Sequence, residues 1–464
     1  MDFWSGCFCR HGIILRRLCR IRKEHIIIKR ILILLPFTLG ISQSYSLDEA
    51  IRVALNNKEA LKASAMDLES SRQSVKGSYS SILPSIRFSG GVSESRFPTQ
   101  TGGYNESSGE ILLGSVSSIT SASSSISLSQ NIYDGGVWWN TIRQAKNSYR
   151  ISEEFDRQVK TNIIRSVHSA YFNYLKASQL LDVARSNLMS SQQQLALAQQ
   201  KYELGSAKKT DLLKAEVRFG QSRIDVVNND AALQSAYLTL KNALGLMNTD
   251  QDFTVQDEEG PLEMVPEFDT GFELVQKFNP SVKAKQYQIT GAKIGHKIAK
   301  GSRLPNISAN AAMSGSADNL GDAISNSYND QKRSSTGLSI SIPIFSGNSI
   351  STRIQKAKIA VDKQESEYLT QLQDLSVQLQ GYLDQLNNYQ EIIPINETVL
   401  ESAEEDLKLA QVRYTQGSTT ILEVLDAQVS VVRARSSLIR TKYDAYIQQA
   451  NLKALLGTLY SANN

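Results

Sequence analysis

The sequence predicts a mostly helical chain with a β-barrel portion, built as two tandem copies of one plan. Three observations point there. The chain matches itself at an offset of 212 residues. Large and small residues recur every seven positions along two very long segments. Four Ser/Gly-rich stretches alternate apolar with small polar side chains. A fixed long period marks a duplicated architecture, heptads mark coiled-coil helices, and strict alternation marks strands.

Residues 1–46 read as a secretory signal peptide with an unusual N-terminal extension. Lys29-Arg30 supplies charge, and Ile31 to Ile41 forms an apolar run too short to span a bilayer as a helix. Ser44-Tyr45-Ser46 offers small residues for cleavage after Ser46. A short retained anchor is the other reading of this run. Cys7, Cys9 and Cys19 all lie upstream. The processed chain therefore has no disulfide, no zinc-thiolate site and no lipid-attachment cysteine. No later stretch reaches 18 apolar residues, so an exported chain is either soluble or crosses the membrane by strands.

The first repeat spans 47–247. It starts with a helix over about 48–80. Two strands follow, IRFSGGVS (86–93) and SISLSQNIY (125–133), with 91–124 as the connecting loop. Then comes one helix from about 137 to 203, whose heptads run Tyr174, Leu181, Leu188, Leu195, Tyr202 and Ala177, Ala184, Ser191, Ala198. At 1.5 Å per residue it is roughly 100 Å long. A glycine-punctuated phrase, KYELGSAKKTDLLKAE (201–216), turns the chain into a second long helix.

An acidic linker, 248–267, leads to the second repeat, 268–464. Its helix covers about 270–301. Its strands are ISANAAMS (307–314) and GLSISIPIF (337–345), joined by 315–336, and its seam is Leu386, Ile393, Leu400, Leu407, Tyr414. Its turn reads RYTQGSTTILEVLDAQ (413–428). The offset of 212 aligns Tyr202 with Tyr414, Gly205 with Gly417, Leu213 with Leu425 and Gly245 with Gly457. Four strands with an apolar and a wet face suit a membrane barrel. Four cannot close a pore, so several chains must share the barrel. Surface hairpins of a soluble protein are the other reading. Trp138-Trp139 fits a membrane interface and fits helix packing equally.

SLDEAIRVALNN (46–57), ILPSI (82–86), LSQNIYDGG (128–136) and YTQGSTTILEVLDAQ (414–428) occur in this order within the duplicated chain. Together they resemble the TolC-like outer membrane efflux protein family, over the whole chain after the signal segment. The resemblance implies a homotrimeric α/β barrel-tunnel in the outer membrane lipid, each chain giving four transmembrane strands, with a helical tunnel across the periplasm. It implies docking on a periplasmic adaptor (membrane fusion) protein and an inner-membrane RND or ABC pump. It implies no cofactor and no enzymatic activity. Small-molecule efflux is the expectation; type I protein secretion and metal efflux share the architecture.

The two phrases read as hairpin tips. Gly205 and Gly417 suit the left-handed position that ends a helix. Ser and Thr residues after them, Ser418 and Thr419 among these, suit caps of the returning helix. The resemblance carries a gate over to this chain. Tyr414 and Asp211 match a Tyr–Asp hydrogen bond between neighbouring tip helices in the closed state. Glu423 and Asp426 match two acids ringing the entrance. Three residues apart, they share a helix face. Threefold symmetry would stack two carboxylate rings that attract cations, giving a divalent block. Thr419 stands where well-known members carry an arginine, so one closing link is missing. Plainer readings stand beside these. Thr420 and Glu423 fit a capping box, Asp426 fits a solvated face, and Tyr414 fits the core seam. Lys214 is the counterpart of Asp426 and would partly neutralise it.

Other classes fare worse. The formal charge of +4 comes from the first 46 residues, which hold eight of the 50 Lys and Arg and two of the 46 acids. The remainder is net −2 (42 basic, 44 acidic), which gives no reason to expect a nucleic-acid partner. His168 and His296 are far apart in helical patterns, and no HExxH, Walker or GxSxG pattern occurs. Ser206-x-x-Lys209 has the spacing of acyl-transfer enzymes but lacks their companion motifs. An exported coiled-coil structural protein or adhesin would explain the heptads but not the four alternating segments.

Overall fold

The computed structural model describes residues 43–100, 103–105, 107–112, 115–247, 253–257, 260–325 and 332–460. Most of the signal segment lies outside the described residues. The chain divides into two units, residues 1–45 with 250–256, and residues 46–249 with 257–464.

The first unit is described by a parallel ribbon of β1 (Gln43–Tyr45) and β6 (Phe253–Val255). The Tyr45 and Phe253 rings lie 5.6 Å apart.

In the second unit the same order of elements occurs twice. First come α1 (Leu47–Asn57) and α2 (Glu59–Ser78), then strands β2 (Ser85–Gln100) and β5 (Ser115–Asp134). The tiny hairpin β3 (Gly103–Asn105) and β4 (Glu110–Leu112) lies between those strands. The long helices α3 (Val137–Glu203) and α4 (Lys209–Ala243) follow. The second set is α5 (Phe268–Phe278), α6 (Pro280–Gly301), β7 (Asn306–Ala317), α7 (Leu320–Ser325), β8 (Arg333–Ser341), α8 (Ser349–Thr415) and α9 (Ile421–Leu456).

Two sequence expectations are corrected here. The helices expected over 48–80 and 270–301 are each broken in two. Lys58 and Asn279 adopt extended backbone, and Asn279 caps α6 by accepting from the Ser281 N–H at 2.9 Å, with Pro280 at the first turn. Proline lacks an N–H and suits that position, but it cannot continue the preceding helix. The strands also differ in extent. β2 and β5 run deep into the segment expected as loop, paired from Gly91 opposite Ser123 to Gln100 opposite Ser115, with the Ser93 and Ser121 hydroxyls 3.0 Å apart. β8 stops at Ser341, because Pro343 two residues on has no N–H to donate to a ladder. At the N-terminus, Ser46 accepts from the Glu49 N–H and donates its own N–H to the Glu49 carboxylate, a complete capping box. Cleavage after Ser46 would remove both that cap and strand β1.

The four long strands form one antiparallel sheet in the order β2-β5-β7-β8. Ile86 stands opposite Leu128 in the first hairpin, and Ile307 opposite Ile340 in the second. Ile86 and Ile307 are 221 apart, the spacing of LPSI (83–86) and LPNI (304–307), and Leu128 and Ile340 are 212 apart, the offset that relates the repeats. One face carries Ile86, Phe88, Val92, Ile126, Leu128, Met313, Leu338 and Ile340, all exposed in the single chain. The opposite face carries serines at alternate positions. Short α7 lies over the apolar face, where Ser124 donates to the Ala323 carbonyl and a Cβ at Gly315 would sit 2.8 Å from that oxygen.

A buried apolar core forms where α5 and α6 meet α8 and α9. Val275, Val282, Leu375, Leu379, Leu383, Leu386, Leu452, Leu455 and Leu456 form that core. Each fully buried leucine there contributes roughly 1.5–3 kcal/mol.

Candidate functional site at the hairpin tips

Both tips are built by one device. Gly205 (φ +73°) and Gly417 (φ +76°) take left-handed backbone, which costs glycine little. The Ser206 N–H donates to the Lys201 carbonyl at 2.8 Å, and the Gly205 N–H to that of Tyr202 at 2.9 Å. The second tip repeats this with Ser418 to Arg413 (2.9 Å) and Gly417 to Tyr414 (3.2 Å). These are complete Schellman motifs. The tip serines do not cap the returning helices. Their hydroxyls donate back to the Lys201 and Arg413 carbonyls at 2.9 and 3.0 Å. The returning helices have Lys208 and Thr420 at their N-cap positions, and neither side chain makes a cap hydrogen bond. The Thr420–Glu423 capping box does not form, which frees Glu423 for other work.

Tyr414 lies in the tip core with Ala410, Ile421, Val424, Leu425 and Ala427, so the plainer seam reading of Tyr414 holds. It is also the most engaged residue of the expected gate. The Lys201 ammonium donates to its carbonyl at 2.7 Å and stands 3.9 Å from its ring centroid. A cation over an aromatic face contributes on the order of 0.5–2 kcal/mol. Lys201 lies in the last turn of α3 and Tyr414 in the last turn of α8, so this contact ties the first hairpin to the second. Burial, and then the Asp211 carboxylate, push the Tyr414 phenol above its ordinary pKa. Its hydroxyl is nevertheless buried without a hydrogen bond. The Asp211 charge is felt at the Tyr414 phenol, but the Tyr–Asp hydrogen bond expected from the resemblance is not made in this chain. The Thr419 hydroxyl is buried without a partner as well.

The two expected entrance acids have different neighbours. Glu423 faces Arg413 at 3.9 Å, both about half exposed. Exposed pairs of this kind contribute little, but the guanidinium still offsets the charge. Asp426 lines an apolar groove of about 520 Å³ with Lys214, Arg218, Leu213, Val217, Leu422 and Val429. Among the described residues, no group of three His, Cys, Asp or Glu side chains is arranged to hold a metal ion.

About four turns up α3 and α4 from the first tip, and two turns up α9 from the second, the three helices share a buried polar layer. Gln428 accepts from the Ser190 hydroxyl (2.9 Å) and donates to Asn187 (3.1 Å), while the Ser191 and Ser222 hydroxyls meet at 2.6 Å. A buried amide in an apolar seam sets register, since any slip strands it without partners. Sequence reasoning missed Lys201, Arg413 and this layer. One signal was available: a cation precedes tyrosine at both tips, Lys201-Tyr202 and Arg413-Tyr414.

Comparison with known proteins agrees with the geometry. The model of a family described as outer membrane efflux protein matches residues 50–246 and 273–458. Outer membrane protein TolC of Escherichia coli is 23% identical over 457 residues, covering 92% of this chain and 86% of TolC. The proteases secretion protein PrtF of Dickeya chrysanthemi is 21% identical, covering 92% and 91%. The crystal structure of the Campylobacter jejuni CmeC outer membrane channel superposes with a TM-score of 0.76 at 17% identity, covering 90% of this chain and 87% of that one.

Proposed function

The chain belongs to the outer membrane efflux protein family, and from that premise we propose that three copies form the outer membrane conduit of a tripartite efflux system. The conduit exports small toxic solutes delivered by an inner-membrane RND or ABC pump through a periplasmic adaptor. It is not an enzyme, and the pump supplies the energy. Two repeats, 47–247 and 268–464, would make six similar units around the axis. Processing would fall ahead of Gln43, keeping β1 and the Ser46 cap; a mass measurement finding Leu47 at the mature terminus would contradict this.

One observation carries the reading. Repeat-equivalent residues are buried in one place and exposed in the other: Val183 8% against Ile395 60%, and Ile439 9% against Val227 67%. α3 packs on α9 within the chain. The equivalent faces of α8 and α4 are those left open, and a second copy placed head to tail covers both. The sheet has the same property, since β2 and β8 are its edges, and lipid tolerates no unpaired edge. The apolar strand face not covered by α7 then meets lipid, the serine face lines the lumen, and Trp139, 55% exposed just after β5, fits the interface. PrtF, named for protease secretion, supports protein export as the second reading of the cargo.

Single-channel recording in a planar bilayer tests the conduit. A small cation-selective conductance is expected, blocked by divalent cations on the tip side and relieved by Glu423→Ala with Asp426→Ala. A conductance indifferent to both would refute the acidic gate. A protein that stays soluble without detergent and never conducts would refute the conduit.

A further inference from the structure

The Lys201–Tyr414 contact has a counterpart that a single chain cannot make. Shifting each residue by the repeat offset turns Lys201 into Arg413, Tyr414 into Tyr202 and Asp211 into Glu423. The chemistry survives the shift: a cation, a tyrosine and an acid stand at the same three places. The contact joins the first repeat to the second within one chain. Its counterpart joins the second repeat to the first repeat of the next copy.

Each half of the counterpart is on the surface. Tyr202 is 39% exposed, where its equivalent Tyr414 is 7% exposed. Arg413 is about half exposed and reaches its own Glu423 only at 3.9 Å, whereas Lys201 is drawn across to the other hairpin at 2.7 Å. The Tyr202 carbonyl accepts the Gly205 N–H. It retains a second lone pair, as the Tyr414 carbonyl does when it accepts both Gly417 and Lys201.

We infer that Arg413 of one copy seats on the ring and carbonyl of Tyr202 of the neighbouring copy, the partner being a second copy of this chain. Three such contacts between copies alternate with three Lys201–Tyr414 contacts within copies. The tips are thereby held by a ring of six cation–aromatic contacts, in a chain where Thr419 offers no charged link. Seating Arg413 on Tyr202 also keeps its charge beside Glu423. The inference rests on the homotrimer proposed above.

A short bismaleimide applied to the processed, purified protein tests it. Lys201→Cys with Tyr414→Cys calibrates the reagent, since that span is known within the chain. Arg413→Cys with Tyr202→Cys should then give covalent dimers and trimers in a denaturing gel. Ser341→Cys with Ser89→Cys, across the strand seam between copies, reports the trimer independently. Strand-seam trimers with no tip cross-link would overturn the inference and leave the conduit standing. Failure of both pairs would overturn the assembly itself. Cross-linked tips should also lower bilayer conductance at least twofold; unchanged conductance would remove the contact from the entrance.

Discussion

Under the three-copy assembly proposed above, the strand seam between copies is specified residue by residue. Within the chain Leu128 stands opposite Ala311, and Ser129 opposite Asn310. Carrying β5 to β8 and β7 to β2 by the repeat offsets puts Ile340 opposite Gly90, and Ser341 opposite Ser89, of the next copy. The paired stretch runs from Ser334 opposite Arg96 to Ser341 opposite Ser89. That is about eight residue pairs, hence about eight backbone hydrogen bonds in an antiparallel ladder. Those bonds satisfy about sixteen backbone groups, so at a cost of about 2 kcal/mol or more per unmet group in hydrocarbon each seam is worth upward of about 32 kcal/mol. The sheet therefore closes in the membrane or does not insert. Ser341→Cys with Ser89→Cys places directly opposed Cα atoms about 5 Å apart, within disulfide range. Replacing Gly91 or Arg87 instead, one pair out on the same face, gives a diagonal spacing of about 7–8 Å. A Cβ at Gly91 meets nothing within 4 Å, so sterics do not bias that control. Oxidation should yield a trimer ladder from the Ser89 pair and little from the controls. A ladder favouring Gly91 or Arg87 would show a slipped register and refute the transfer of offsets between repeats.

Three further outcomes follow from the helical part. Burial, and then Lys453, depress the pKa of His168 to about 4, against an opposing pull from Asp48; the unfolded chain takes up that proton first, so stability held at neutral pH falls as pH drops from about 6.5 to 4, by about 3 kcal/mol. Thermal melting of wild type should show this slope, and His168→Leu should flatten it; parallel slopes would sink the assignment. Gly417→Ala meets no atom within 4 Å and should cost only the left-handed backbone, about 1–2 kcal/mol, whereas Gly457→Ala sets a Cβ 2.5 Å from the Phe278 carbonyl and should melt markedly earlier. Tyr414→Phe removes a hydroxyl that makes no hydrogen bond but keeps the ring and carbonyl used by Lys201, so conductance should stay at the wild-type level while Tyr414→Leu raises it; equal effects would return the role to the hydroxyl.

The architecture was legible where it depends on neighbours along the chain. The heptads and glycines placed α3 at Val137–Glu203, close to the expected 137–203, because helix length is set by local propensity and by where left-handed backbone is cheap. Gly205 and Gly417 were readable as helix ends for the same reason. The breaks at Lys58 and Asn279, and the full reach of β2 and β5, were missed. The Asn279 cap spends one side chain on two elements, since its amide also donates to the Leu455 carbonyl across 176 residues. The serine strands gain their pairing from partners on another strand.

The tips show the division most plainly. By sequence, Tyr202 and Tyr414 are the same residue in the same phrase, and Lys201 and Arg413 are equivalent cations beside them. Only the tertiary structure makes Tyr414 a buried ring under an ammonium and leaves Tyr202 at the surface. The sequence alone determined which groups stand at each tip, because periodicity and backbone preference act within a few residues. Which of them meet was decided by the packing of one repeat against the other, since a side chain's partner is chosen by proximity in space across two hundred residues of chain.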